Sequence, residues 1–271
     1  MQTITDCMKT RRSVRTYDGR ALNEPMQQTL LNFARQIQNP FQIPVSFRFL
    51  EAKEHGLSCP VVTGTQTYVG GKIEVLPYAN VAFGYSFEAF ILHAQSLGLG
   101  TVWLGGTMNR SAFEQAMALE ENEMMPCATP IGFPEAKMSV REMLMRSAVK
   151  ADMRLPFAEL FFDGDLHTPL LPENAGRLRL PLEMVRLAPS AVNRQPWRVA
   201  VCGDHVHFYL KRSKGAYNGG RLDMQMTDMG IALCHFALSA QEQGLTLEFG
   251  QADPNLAHTS GLEYVATYRV A

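Results

Sequence analysis

Residues 84–99 and 230–245 can be laid over one another without a gap. The offset is 146 residues, the distance from Gly84 to Gly230 and again from Gly98 to Gly244, and it brings Leu92 onto Leu238, Ala94 onto Ala240 and Gln95 onto Gln241. Each stretch is apolar on most sides and runs into a glycine, the pattern of a buried helix closed by a left-handed residue. Two such helices in one chain predict a central pair packed against each other and against sheets. The chain is therefore expected to hold two related halves, 1–158 and 179–271, packed as one compact unit. Between them the Asp163-Gly164-Asp165 cluster, Pro169 and Pro172 read as a linker over 159–178.

Periodicity predicts helices over 24–38, 81–97, 111–118, 138–148, 180–187 and 227–243. Strands are predicted over 46–52, 60–69, 128–133, 198–202, 205–210 and 262–270, an α+β arrangement. With 46% hydrophobic and 19% charged residues, 271 residues are enough for a real core.

Charge and cysteine usage narrow the partners. Lys and Arg number 25 against 26 Asp and Glu, so no overall field draws nucleic acid or an anionic membrane. No run approaches the roughly eighteen apolar residues of a transmembrane helix, and Met1 to Thr10 lacks the apolar stretch of an export signal. Cys7, Cys59, Cys127, Cys202 and Cys234 contain no C-x-x-C and are odd in number, which fits reduced thiols in the cytoplasm. His205 and His207 alternate on a strand with no Cys or carboxylate at ligand spacing, so they read as an exposed strand face and not as a metal site. His93 and His235, inside the apolar helices, read as satisfied core or interface histidines.

Two local clusters stand out from this neutral background. Arg11-Arg12-Ser13-Val14-Arg15 puts three guanidiniums and a hydroxyl within five residues. Forked donors of this kind suit phosphate, although a short basic run also suits a solvated face. Far downstream, Pro189 stops a helix, and Ser190 and Asn193 then offer polar side chains on a turn before Pro196-Trp197 opens a strand. Alone, this segment reads equally as a ligand-contacting loop or as a helix end turning into a strand.

Together the two clusters resemble the R-R-S-x-R motif and the P-S-x-x-N-x-Q-P-W loop of the flavin-dependent nitroreductase family. The run Leu97-Gly98-Leu99-Gly100-Thr101-Val102-Trp103-Leu104-Gly105-Gly106 is similar to the family's G-L-G-T-x-W-x-G segment, with Val102 where members often have Cys. Ile131-Gly132-Phe133-Pro134 resembles its G-Y-P strand end, and Arg154, Pro156, Glu159 and Leu160 resemble its late Arg-Pro-Glu-Leu segment. The resemblance implies a nitroreductase-like α+β fold with mixed or antiparallel sheets. It also implies an FMN site in which Arg11, Arg12, Ser13 and Arg15 hold the phosphate, ribityl chain and pyrimidine edge and Arg154 reaches the phosphate. The backbone at Leu104, Gly105 and Gly106 would face flavin N5, and Pro189, Ser190 and Asn193 would cover the flavin.

The implied activity is ping-pong hydride transfer from NADH or NADPH through flavin N5 to an electron-poor small-molecule acceptor. Arg15 would stabilise the anionic reduced flavin, and no metal, protein nucleophile or general base is required. A flavin store or sensor without turnover and a scaffold without flavin are the other readings.

Motif order departs from the family. In ordinary members the P-S-x-x-N loop follows the first helix, whereas here that place holds Gln36-Ile37-Gln38-Asn39-Pro40-Phe41 and the intact loop lies in the second half. Family homodimers build each of two sites from both subunits. The arrangement here implies that the halves replace the subunits, that one flavin site of two survives, and that a monomer can bind FMN as a pseudo-dimer.

Overall fold

The computed structural model describes residues 2–214 and 221–271. The first half runs α1 (Ile4–Thr10), α2 (Glu24–Ala34), β1 (Ser46–Glu51), α3 (Ala52–His55), β2 (Thr67–Glu74), α4 (Ala79–Ser96), β3 (Gly100–Thr101), α5 (Arg110–Ala116), β4 (Glu123–Met124), β5 (Ala128–Gly132), α6 (Val140–Ala148) and α7 (Phe157–Leu160). The second runs β6 (Phe161–Asp163), α8 (Arg179–Leu187), β7 (Trp197–Cys202), β8 (His205–Lys211), α9 (Met224–Glu242), β9 (Leu247–Gly250) and β10 (Leu262–Val270).

One sheet has the order β1-β2-β5-β3, with β4 beside β2, and the other the order β6-β7-β8-β10-β9. Every neighbouring pair within β1-β2-β5-β3 is antiparallel. So is every pair within β7-β8-β10-β9. The second sheet thus repeats the first in order and direction, and β6 adds a parallel strand beside β7.

The 146-residue repeat corresponds to α4 and α9, which are buried over most of their lengths and pack on one another. Their crossing is set by glycine. A Cβ on Gly84 would collide with the Thr227 carbonyl oxygen, and a Cβ on Gly230 with that of Val81. Gly98 and Gly244, which follow the two helices, have φ of +76° and +79°, as the sequence predicts.

Several features differ from the sequence reading. The strand expected over 60–69 lies at Thr67–Glu74 instead. Gly70 and Gly71 look like strand breakers, yet they sit mid-strand because the Met117, Phe83 and Phe87 side chains press against their α-carbons. The segment 159–178 is more than a connector. Leu160 and Phe161 are fully buried and Phe161–Asp163 is a sheet strand, which the surrounding Gly, Pro and Asp residues conceal in sequence. Helix α1 is missed because its outer turn looks polar. Its first amides and Thr5 Oγ1 donate to the Glu242 carboxylate of α9 at 2.6–3.1 Å, so its N-terminus is satisfied by a residue at the far end of the sequence. Finally, His207 is buried, not exposed, with Nδ1 2.7 Å from Thr267 Oγ1, because β8 lies inside its sheet and is covered on both faces.

Among the described residues no three His, Cys, Asp or Glu side chains gather as a metal site. Among them, too, no helix is long and apolar enough to cross a membrane.

Candidate active site between the two halves

A cavity of about 510 Å³ lies between the halves, within the roughly 300–1,000 Å³ range of small-molecule sites. Arg11, Arg12, Ser13, Arg15, Gly105, Gly106 and Arg154 line it from the first half, and Pro189, Ser190 and Asn193 from the second. Leu104 does not. Its N–H and C=O are both bonded to Ala128 and its side chain packs with Leu50 and Met108, so it stands behind the cavity wall.

The Arg-rich segment is fixed from two directions. Val14 N donates to Thr101 O at 2.9 Å, tying the segment to β3. Glu142, buried on α6, accepts from Arg12 Nη1 at 2.9 Å, Arg15 N at 3.2 Å and Thr16 Oγ1 at 2.9 Å. Glu142 is itself held by the α6 cap, where Ser139 Oγ accepts from its N–H. Arg12 is therefore already paired with a carboxylate.

Arg11, Arg15 and Arg154 are in a different condition. Arg11 Nη1, Arg15 Nε and Arg154 Nε are buried with no hydrogen-bond partner among the described residues. Among the described residues Arg15 and Arg154 have no carboxylate within ion-pair distance, while Arg11 has only Glu88, at 3.8 Å. Burial is the main force lowering all three guanidinium pKa values. Arg146 lowers each further, and Arg11 also lowers Arg154. Buried cations that repel one another and leave donors unmatched are costly unless an anion completes them.

Glu88 joins the halves at the centre. It is fully buried on α4, with Oε2 accepting from Trp103 Nε1 at 2.9 Å and Oε1 2.9 Å from His235 Nε2 on α9. His235 Nδ1 lies 2.8 Å from Met184 O, a group that only accepts, so that nitrogen carries a proton. His235 is accordingly a satisfied interface histidine. His93 stacks on Phe33 at 3.8 Å, but its Nε2 is buried without a partner.

The Pro189–Trp197 loop clamps the first half. Asn193 Nδ2 donates to Lys150 O at 2.7 Å and Met153 O at 3.0 Å, and Gln195 Oε1 accepts from Leu155 N at 2.9 Å. Ser190 Oγ accepts from Gln195 N within the loop. Val192, Asn193 and Gln195 have φ of 45°, 56° and 49°, and Val192 is β-branched, so the loop is held in a conformation that its sequence alone disfavours.

At the glycine segment, Arg110 Nη2 donates to Gly105 O at 2.6 Å and shapes the turn. A Cβ on Gly105 would stand 3.5 Å from Met224 and 3.7 Å from Cys127, occupying cavity wall between the halves. Burial pushes the Cys127 thiol up to about 12, which removes it as a nucleophile.

Glu88, Glu142 and Asp228 are not singled out by the sequence reading, and Gln195 enters it only as the Gln of the P-S-x-x-N-x-Q-P-W loop. A usable signal existed for Glu88 and Asp228, each the one acidic residue in a long apolar run.

The sequence matches the family model described as "Putative TM nitroreductase" over residues 3–240. The chain belongs to this nitroreductase family. Among solved structures, a nitroreductase from Thermotoga maritima MSB8 aligns with a TM-score of 0.64 at 19% identity, covering 99% of this chain and 93% of its own. A nitroreductase family protein from Clostridium difficile 630 aligns with a TM-score of 0.46 at 16% identity, over 59% of this chain and 96% of its own. A Desulfovibrio desulfuricans nitroreductase solved in complex with FMN aligns with a TM-score of 0.41 at 21% identity, over 52% and 94%. No curated protein matches the chain. The family fold, an α+β arrangement with antiparallel and mixed sheets, is the one this nitroreductase-family oxidoreductase adopts.

Proposed function

We infer that the chain is an FMN-dependent NAD(P)H oxidoreductase of nitroreductase type, reducing an electron-poor organic acceptor in the cytoplasm. The observation that carries this reading is the set of buried, unmatched guanidinium nitrogens of Arg11, Arg15 and Arg154 around one cavity. A phosphate or a polarised flavin edge would supply what they lack. Bound there, FMN would contribute hydride transfer between NAD(P)H and the acceptor. The chain would bind the phosphate through Arg11 and Arg154, place Arg15 where negative charge develops, and leave the space beside Gly105 open to the ring. Asn193 and Gln195 would keep the halves closed over it.

The expected stoichiometry is one FMN per chain. The groove that holds the counterpart position is lined by Gln38, Asn39, Tyr85, Gln241, Leu247 and Tyr268 among others, and its lining contains no Lys or Arg. Leu247 stands 146 residues after Thr101, and Phe249 146 after Trp103. Without cations that groove has nothing to hold a phosphate, so a monomer should bind one flavin. Flavin released on denaturation, set against protein concentration and mass from light scattering, measures this. A ratio near two, or binding only by an obligate dimer, overturns it.

Arg11→Ala and Arg154→Ala are each expected to weaken FMN binding by roughly 1.5–3 kcal/mol, the worth of a charge-assisted contact. Titration of FMN fluorescence reads the loss, and parental affinity in both variants overturns the assignment. Anaerobic addition of NADH or NADPH then tests turnover. Bleaching of the bound flavin supports an oxidoreductase; an unbleached holoprotein indicates a flavin store.

A further inference from the structure

We propose that Asp228 is the proton donor of the reaction, delivering a proton to the oxygen of a quinone-type or nitro acceptor as the acceptor is reduced. This rests on the flavoenzyme reading above. Asp228 is 1% exposed overall yet lines the cavity. Met224, Asp228 and Ile231 all line it, and their spacing places them on one face of α9. Met224 also lies against Gly105, so this face of α9 stands over the glycine end of the cavity.

The surroundings of Asp228 are those of a neutral acid. Among the described residues its two oxygens share a single donor, Ala191 N–H, at 2.9 and 3.1 Å. Asp223 at the start of α9 acts on its charge, and Asp228 in turn acts on Cys127 from the first half; Lys214, Arg11, Arg12, Arg15, Arg146, Asp152, Arg154 and Arg194 line the same cavity. Asp228 makes no ion pair among the described residues, whereas Asp152, the other carboxylate of the cavity lining, pairs with Arg146. A carboxyl group kept there to neutralise arginine would be paired with one. Burial pushes its pKa well above the ordinary carboxylate range and Asp223 adds to this, while the Ala191 N–H pulls the other way. An acid of that kind holds its proton where a free carboxylate would have lost it.

The balance is simple. The acceptor would gain a hydride from bound reduced flavin and one proton from Asp228, giving a hydroquinone from a quinone, or a nitroso group and water from a nitro group, whose N–O bond breaks. The Asp228 O–H bond breaks as the acceptor O–H bond forms, the carboxylate is left, and water restores its proton.

Asp228→Asn separates this role from a structural one, because the amide oxygen still accepts from Ala191 N–H. The FMN-loaded protein, reduced anaerobically with dithionite, is mixed with menadione or with ferricyanide in a stopped-flow cell. FMN affinity of the variant should equal that of the parent. Reoxidation by menadione should slow by about 10²-fold or more, the usual worth of general acid catalysis. Reoxidation by ferricyanide, which takes an electron and no proton, should be unchanged. Equal menadione rates overturn the proposal, as does equal slowing with both oxidants. If neither parent nor variant binds FMN, the flavin reading fails and takes the proposal with it. If the variant does not fold, the parent still decides. Its menadione rate must fall as pH rises through the pKa of the acid while its ferricyanide rate does not, and its infrared spectrum without flavin must contain a protonated carboxyl stretch at neutral pH.

Discussion

Alanine at Gly84 is expected to destabilise the protein by about 3 kcal/mol or more, the upper end of the range for overpacking a core. Two effects oppose each other. In the interior of an exposed helix the change would gain roughly 1 kcal/mol of helix propensity. At this position, however, the new methyl group meets the Thr227 carbonyl oxygen, part of α9's backbone, and no side-chain rotamer can relieve the contact. The clash wins. For a chain of this size the loss corresponds to a fall in Tm of about 6–12 °C. Gly230→Ala should behave alike, because its methyl group meets the Val81 carbonyl across the same crossing. The double variant should cost less than the sum of the two, since one substitution already separates the helices. Thermal and urea unfolding of the three variants measure this. A neutral or stabilising Gly84→Ala would mean that α4 and α9 do not cross so closely.

The same pair of helices shows how far the sequence can be read. Their register, glycine ends and burial are visible in residues 84–99 and 230–245, because an all-round apolar helix has few alternatives. The sheet order is not visible in this way. β2 carries two adjacent glycines, and only the Met117, Phe83 and Phe87 side chains from other elements explain them. Within the site, Arg11, Arg15, Arg154 and Asn193 are brought to one cavity, as their motifs imply. What no motif conveys is which donors remain unspent. Arg12 and Arg15 look alike in sequence, yet Glu142, 130 residues after Arg12, takes the Arg12 side chain and only the backbone N–H of Arg15. Asn193 reads as a ligand-contacting amide; it lines the cavity, and its Nδ2 already donates to the Lys150 and Met153 carbonyls. Long-range partners decide both cases.

Glu88→Ala is expected to cost about 3–5 kcal/mol, the range seen when one partner of a buried ion pair is removed. Three groups would lose their partner at once: the Trp103 indole N–H, His235 Nε2 and the Arg11 guanidinium, with Glu88 and His235 both fully buried. Methyl packing cannot compensate, because alanine leaves a cavity as well as unmatched donors. Glu88→Gln should cost less, since the amide oxygen can still accept from Trp103 Nε1 and the NH₂ group stays beside His235 Nε2, but the amide carries no charge to balance Arg11. The pair with Arg11 is tested by a double-mutant cycle. Arg11→Ala in the Glu88→Ala background should cost less than in the parent, with a coupling of about 1–3 kcal/mol, because the arginine has then already lost its counter-charge. Denaturant unfolding of flavin-free protein isolates this from FMN binding. Additive losses would mean that Arg11 and Glu88, 3.8 Å apart, do not stabilise each other. Arg11 would then be held in place by packing alone, and its unmatched Nη1 would owe nothing to the charge network at the centre of the two halves.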